Sequence, residues 1–248
     1  MFPGMGYGYG YGYGYRIDPT MILLIPAILL TLYAQYKVSS TTNRYFNVRS
    51  DRNLTGEEVA RRILDSNGLY NVRVEMVRGR LSDHYDPRSN VVRLSEDVYS
   101  RTSITSISVA AHECGHAIQH AHGYAPLNIR SSLVPVVNFA SNMSWIFIML
   151  GFVTRGVLLK VGIILFSASV LFQIVTLPVE FNASSRALTQ LTTLGIVDDR
   201  EVRESRKVLQ AAALTYVAAA VTAILQLLRL VLIANSREIG RASCRERV

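Results

Sequence analysis

Four long apolar runs constrain this chain more than anything else in it. They cover residues 20–38, 132–153, 157–177 and 211–234. Each approaches the roughly 20 residues that a helix needs to cross a bilayer core. In lipid, every backbone polar group must be satisfied inside its own segment, so such runs are read as membrane helices. The whole chain agrees: 50% of its 248 residues are hydrophobic, and the mean hydropathy is +0.23. Pro26 in the first run is tolerable in a membrane helix. Asn138, Ser141, Asn142 and Ser144 dilute the second run and are expected to face other helices. The link between the second and third runs is short enough to make a helical hairpin. Gln226 and Arg229 lie in the last run, and an arginine there must snorkel, pair or mark the edge of the span.

Between the runs the chain turns polar. Residues 1–15 begin Met-Phe-Pro-Gly-Met and then alternate Gly and Tyr, a composition that buries no core and predicts a disordered tail. No signal-peptide pattern is expected there, since a basic leader and a small-x-small site are both missing. The expected organisation is a membrane helix at 19–38, a catalytic region at 39–130 and a membrane hairpin at 132–177. A water-facing helical region at 178–210 and a membrane helix at 211–235 follow. Residues 236–248 have no usable periodicity and are set aside as a tail that need not be native. Only Arg16 precedes the first span, whereas Lys37, Arg44, Arg49 and Arg52 follow it. Basic residues favour the cytoplasmic side, so 39–130 is expected in the cytoplasm.

The net charge of +8 does not point to nucleic acid, because no basic stripe is interleaved with aromatics. Topology and anionic lipid headgroups explain it better. The expected partners are the lipid bilayer and a peptide or membrane-protein substrate. Two cysteines, Cys114 and Cys244, are too few for a disulfide framework.

Within 39–130, Thr55-Gly-Glu-Glu58 is a capping-box pattern that opens a helix with Val59, Ile63 and Leu64 on one face. Asn67-Gly68 ends it. Residues 72–77 alternate as a half-buried strand. Residues 81–87 are rich in turn formers. Residues 91–94 read as a second strand, whose edge can add an extended substrate.

A proline-free stretch, 106–120, then carries His112-Glu113-Cys114-Gly115-His116. On a helix, residues four apart share a face. His112 and His116 can therefore bind one metal ion, while Glu113 beside them can act as general base. Cys114 occupies a position this pattern leaves free and is expected to pack as a small residue.

A catalytic zinc has three protein ligands and keeps one position for water. Three candidates offer the third. His122 lies ten residues after His112, but the class using that offset needs a glycine where this chain has Gln119. His120 lies one turn too far along a straight helix. Glu180 follows the third run, in Pro178-Val-Glu-Phe-Asn-Ala-Ser-Ser. A carboxylate at a membrane boundary beside Phe181 is costly unless paired, and a zinc ion supplies the partner. Glu180 is the preferred candidate. For the oxyanion, His84, Tyr85, His120 and His122 remain open.

These segments resemble the bacterial membrane neutral zinc metallopeptidases of the YugP-like family. The resemblance is carried by 54–64, 81–88, 109–119 and 177–184, and it spans roughly 16–235. More distantly, the chain resembles HtpX-like membrane peptidases, whose third ligand is the glutamate of a Glu-x-x-x-Asp pattern. That resemblance implies a ligand role for Glu180. The aspartate position is Ser184 here, so the partner that orients a zinc histidine must differ, with Ser184 or Asn182 as options.

The expected fold is therefore mainly α and membrane-integral, with about four transmembrane helices. A small α+β zincin-like region carries the H-E-x-x-H helix. The expected function is that of a zinc metallopeptidase of the gluzincin type. It would cut peptide bonds internally with zinc-activated water and Glu113 as base. The alternative is a non-catalytic membrane scaffold or adaptor with a structural metal site.

Overall fold

The computed structural model describes residues 19–80, 82–154 and 157–245. The tail expected at 1–15 lies outside the described residues, as does the end of the 236–248 segment. Helix dominates, and four of the helices are long and apolar enough to cross a membrane.

A short 3-10 turn, Pro19–Leu23, leads into α1, Leu24–Phe46. Pro26 falls in the first turn of α1, where its missing N–H leaves no helical bond unmade. The helix runs eight residues beyond the expected end at 38. Its added turns are held by packing: Thr41, Thr42 and Tyr45 are buried, and the Thr105 hydroxyl donates to the Thr42 carbonyl at 3.0 Å.

The polar region builds α2, Gly56–Ser66, a three-stranded sheet, the short α3, Glu96–Ser100, and α4, Ile104–Ala121. The capping box forms as expected. Thr55 Oγ1 accepts the Glu58 N–H at 3.2 Å, and Glu58 Oε2 accepts the Thr55 N–H at 2.8 Å. The Glu58 carboxyl is held below its usual pKa by the Thr55 backbone and hydroxyl bonds. Val59, Ala60, Ile63 and Leu64 are fully buried against α4 and the sheet. Each larger side chain of that set contributes about 1.5–3 kcal/mol by leaving water.

The strands are β1, Arg73–Val77, β2, His84–Asp86, and β3, Val91–Ser95, in the order β1-β3-β2. β1 is parallel to β3, and β2 is antiparallel to it. β2 arises within the stretch read from sequence as turns. The half-buried Asp83 anchors it, accepting the Ser95 N–H at 2.7 Å and the Ser95 hydroxyl at 3.0 Å. Burial pushes the Asp83 carboxyl above its ordinary pKa, despite these bonds. The structure corrects the expectation that residues 91–94 offer an edge. β3 is the central strand, with Val91, Val92, Leu94 and Ser95 buried, a pattern suited to the middle of a sheet. The available edge beside the site is β2.

The remaining helices are α5, Ala125–Val153, α6, Val157–Thr193, and α7, Asp199–Arg245. α5 and α6 form the expected hairpin. They approach closely at Gly162, where an added Cβ would lie 2.7 Å from the Ile148 side chain. The hairpin expected to end at 177 and the start of the helical region expected at 178–210 are one continuous helix, with Pro178 inside it. At 1.5 Å per residue, the 37-residue α6 is ~55 Å long, well beyond the ~30 Å of a bilayer core. α7 likewise starts twelve residues before its apolar run. Its start is fixed by Asp198 Oδ1, which accepts the Glu201 N–H at 2.7 Å, and by Glu201 Oε2, which accepts the Asp198 N–H at 3.2 Å. At the other end, the backbone of the segment set aside as a tail continues α7 to Arg245.

α1 packs on α7, α7 on α6 and α6 on α5, while α4 lies across α6 and α7. The outward faces are apolar, with Ile28, Leu32, Phe139, Ile164 and Leu228 exposed. This is the surface of a protein solvated by lipid.

The contact between α4 and α6 is made at Gly115. A Cβ there would lie 2.5 Å from the Ala183 carbonyl oxygen and 3.2 Å from its Cα. Replacing glycine by alanine inside a helix ordinarily stabilises by about 1 kcal/mol. Here Gly115→Ala is expected to destabilise by about 1–3 kcal/mol through overpacking. The thermal midpoint of the full chain in detergent should fall; an unchanged or raised midpoint would show that these helices do not touch there.

Candidate metal centre

Two helices bring together the residues singled out in the sequence. α4 presents His112, Glu113 and His116 over little more than one turn, as their spacing requires. α6 crosses it at Gly115 and so delivers Glu180 to the same point. His112 Nε2 lies 3.3 Å from Glu180 Oε2, and His116 Nε2 lies 3.6 Å from the same oxygen. The two imidazoles are nearly perpendicular, with centroids 4.8 Å apart. One donor atom from each of the three residues falls within 4.8 Å of the others.

Glu180 is only 2% exposed. A buried carboxylate demands cationic or hydrogen-bonding partners. Its other oxygen, Oε1, has Arg130 Nη1 of α5 at 3.6 Å. Burial disfavours the His116 cation, but the Glu180 carboxylate and the charge of Glu113 outweigh it and hold His116 above its ordinary pKa.

The outer nitrogens of both histidines are occupied. Ser184 Oγ lies 3.2 Å from His112 Nδ1, and Gln119 Oε1 lies 3.0 Å from His116 Nδ1. The fully buried Gln119 is fixed in turn, its amide donating to the Val179 carbonyl at 2.8 Å and to Asn182 Oδ1 at 3.0 Å. These bonds leave each Nε2 turned toward Glu180. The Ser184 option is the one realised at His112, whereas Asn182 acts one bond further out, through Gln119. Gln119 itself was visible only as the residue standing where another class has glycine. Its role follows from its i+3 spacing after His116 on a helix with a buried face.

The other histidines go elsewhere. His120 Nδ1 meets the Tyr85 hydroxyl at 2.9 Å, and His122, at the end of α4, has Arg186 Nη1 at 3.4 Å from its Nδ1. Cys114 is fully buried on the far side of α4, with its thiol 3.6 Å from the Ala60 carbonyl. Burial pushes that thiol pKa up, which suppresses the thiolate a metal would need.

Glu113 and the three converging residues line a cleft of about 370 Å³. β2 supplies one rim through His84 and Tyr85, α5 another through Arg130 and Ser131, and α7 contributes Tyr216. Tyr216 and Arg130 had no signal in the sequence, because each lies within or beside an apolar run. Burial pushes the Tyr85 phenol up to about 12, with Asp86 adding to it, so it keeps its proton across the physiological range. A second acidic group, Asp51, Asp198 and Glu201, also converges. Its buried member is committed to backbone donors, since Glu201 also accepts the Asp51 N–H at 2.9 Å.

Two imidazole nitrogens and a buried carboxylate make the donor set of a three-ligand zinc site, and the cleft leaves access for a further ligand. The architecture and donors together define a membrane protein with a candidate metal centre. A family model described as "Putative neutral zinc metallopeptidase" matches residues 20–235, and the chain belongs to that family. It is 52% identical over 214 residues to the "Putative membrane protease YugP" of Bacillus subtilis (strain 168), an alignment covering 86% of this chain and 95% of that protein. No solved structure matches the chain.

The Gln119 contact generates a specific expectation. Gln119→Leu removes the acceptor at His116 Nδ1 and should weaken zinc affinity by about 10–100-fold. Competition with a chromogenic chelator measures it; unchanged affinity would mean that His116 is oriented without Gln119.

Proposed function

We propose that this protein is a membrane-embedded zinc-dependent endopeptidase, with His112, His116 and Glu180 holding the ion and Glu113 acting as general base. The observation that carries this reading is the convergence of both Nε2 atoms on a carboxylate that is 2% exposed, with a second carboxylate, Glu113, lining the same cleft. When bound, a zinc ion would supply Lewis acidity, lowering the pKa of coordinated water toward roughly 7 and polarising the scissile carbonyl.

The protein's own residues do the rest. Glu113 accepts the proton of the attacking water and returns it to the leaving amine. Ser184 and Gln119 keep His112 and His116 in the orientation that binding requires. The cleft flanks the free edge of β2, so an extended substrate can add as a strand alongside His84–Asp86. Hydrogen-bond donors for the developing oxyanion are available from the protonated phenol of Tyr85 and from Tyr216 and Arg130, which line the same cleft. The basic residues after the first span favour a cytoplasmic side for this cleft.

A structural metal site has no use for a carboxylate base beside the ion. Glu113→Gln should therefore keep zinc at parental stoichiometry, while cleavage of an unfolded protein falls by about 10²–10⁴-fold. Glu180→Ala should lose zinc, and His122→Ala should keep it. Metal analysis with a gel-based cleavage assay reads all three. Equal cleavage by the parent and Glu113→Gln would remove Glu113 from the mechanism. Zinc loss in His122→Ala alone would show the wrong third ligand.

A further inference from the structure

A second cavity, of about 660 Å³, lies among the membrane helices. It neighbours the cleft along three of them. On α6, Gln173 lines the cavity two turns before Glu180, ~10 Å along the axis. On α5, Ser141 lies two turns beyond Val134, which lines the cleft. On α7, Thr215 of the cavity adjoins Tyr216 of the cleft.

Its lining is mostly apolar, but hydroxyl and amide side chains are set into it at a depth where lipid offers no partner. Its hydroxyls have partners within the protein: Thr31 bonds Thr222 across α1 and α7 at 3.3 Å, and Ser141 bonds Ser169 across α5 and α6 at 2.8 Å. Three amides do not. Among the described residues, no hydrogen-bond partner meets the side chains of Gln35, Gln173 or Gln226, which line the cavity from α1, α6 and α7. An amide at membrane depth is unfavourable unless something bonds it.

The cavity also has a side opening. The helices form an arc, α1 on α7 on α6 on α5, and α1 and α5 make no packed interface with each other. Both nevertheless line the cavity, so the break in the arc leads into it from the bilayer. Trp145 of α5 lines the cavity and is 65% exposed, which places it at this mouth.

We propose that this chamber docks one membrane-spanning segment of a substrate protein, entering between α1 and α5, and feeds the adjoining chain into the metal cleft. The proposal rests on the peptidase reading and names its substrate class. An acyl chain has no group to offer the three amides, whereas a polypeptide segment has backbone and polar side chains. Ala219 and Ala223, both part-exposed in the lining, let a helix backbone approach closely, as small residues do at membrane interfaces. A segment seated here holds its flanking residues within about two helical turns of Glu180, an arrangement that raises their effective concentration at the cleft.

Trp145, the chain's one tryptophan, supplies the probe. Full-length Glu113→Gln protein in phosphatidylcholine nanodiscs is mixed with a lysine-flanked single-span Leu-Ala peptide dansylated at its midpoint. Energy transfer from Trp145 should saturate and be reversed by unlabelled peptide. Gln226→Leu, which keeps the side chain's size, and Ala219→Phe, which fills the chamber, should each weaken binding at least ten-fold. Transfer that rises without saturating overturns the proposal, as does equal binding by both variants. Saturable transfer from dansyl-labelled phospholipid that the peptide fails to displace also overturns it, by making lipid the occupant. In protein with Glu113 intact, the two substitutions should leave hydrolysis of a soluble unfolded protein within two-fold and slow cleavage of a bilayer-anchored one at least ten-fold. A parent that cleaves neither substrate overturns the peptidase reading, and the binding measurement then still decides docking.

Discussion

The crossing of α4 and α6 at Gly115 is the contact on which the rest of this structure depends. Without a side chain at 115, the α6 backbone comes close enough for Glu180 to reach two imidazoles one turn apart on α4. The result is a carboxylate buried between nitrogen donors, an arrangement with a desolvation cost that a cation offsets. The surrounding bonds are consistent with this demand. Ser184 is one turn beyond Glu180 on α6 and touches His112, while Gln119 is on α4 and ties His116 back to α6. α6 thus orients His112 directly through Ser184 and His116 through its hold on Gln119, so disturbing the crossing disturbs the whole set.

The same two long helices also join the site to the membrane. α6 and α7 each run unbroken from apolar segments into the polar layer, so Glu180 and Tyr216 lie on rods anchored in lipid. A catalytic group carried on a continuous helix is positioned more firmly than one on a loop. It also means that whatever occupies the space between the membrane helices acts on the helices that carry the cleft. The belonging of the chain to a family of membrane zinc peptidases is in keeping with this shared construction.

Much of this was legible in the residues, and the reasons are physical. Apolar runs announce membrane helices because lipid accepts little else, and His112-Glu113-x-x-His116 is a one-turn pattern that needs only a helix. Glu180 stood out as a charge beside apolar neighbours. The illegible parts were those set by tertiary contact. β2 exists because Asp83 binds the Ser95 backbone, a bond no local pattern reveals. β3 became central once β2 took its second edge, so an edge role for residues 91–94 was lost. The boundary expected between 177 and 178 is absent, because packing against α4 carries α6 through Pro178. Tyr216 and Arg130 gained their places only when α5 and α7 were set beside the cleft.

Zinc K-edge X-ray absorption on the purified full-length protein tests the central claim most directly. The account predicts a first shell of nitrogen and oxygen donors at ~2.0–2.2 Å, with imidazole outer-shell features and no sulfur. A sulfur shell at ~2.3 Å would bring Cys114 into the site and contradict the geometry described, as would protein that takes up no zinc at all.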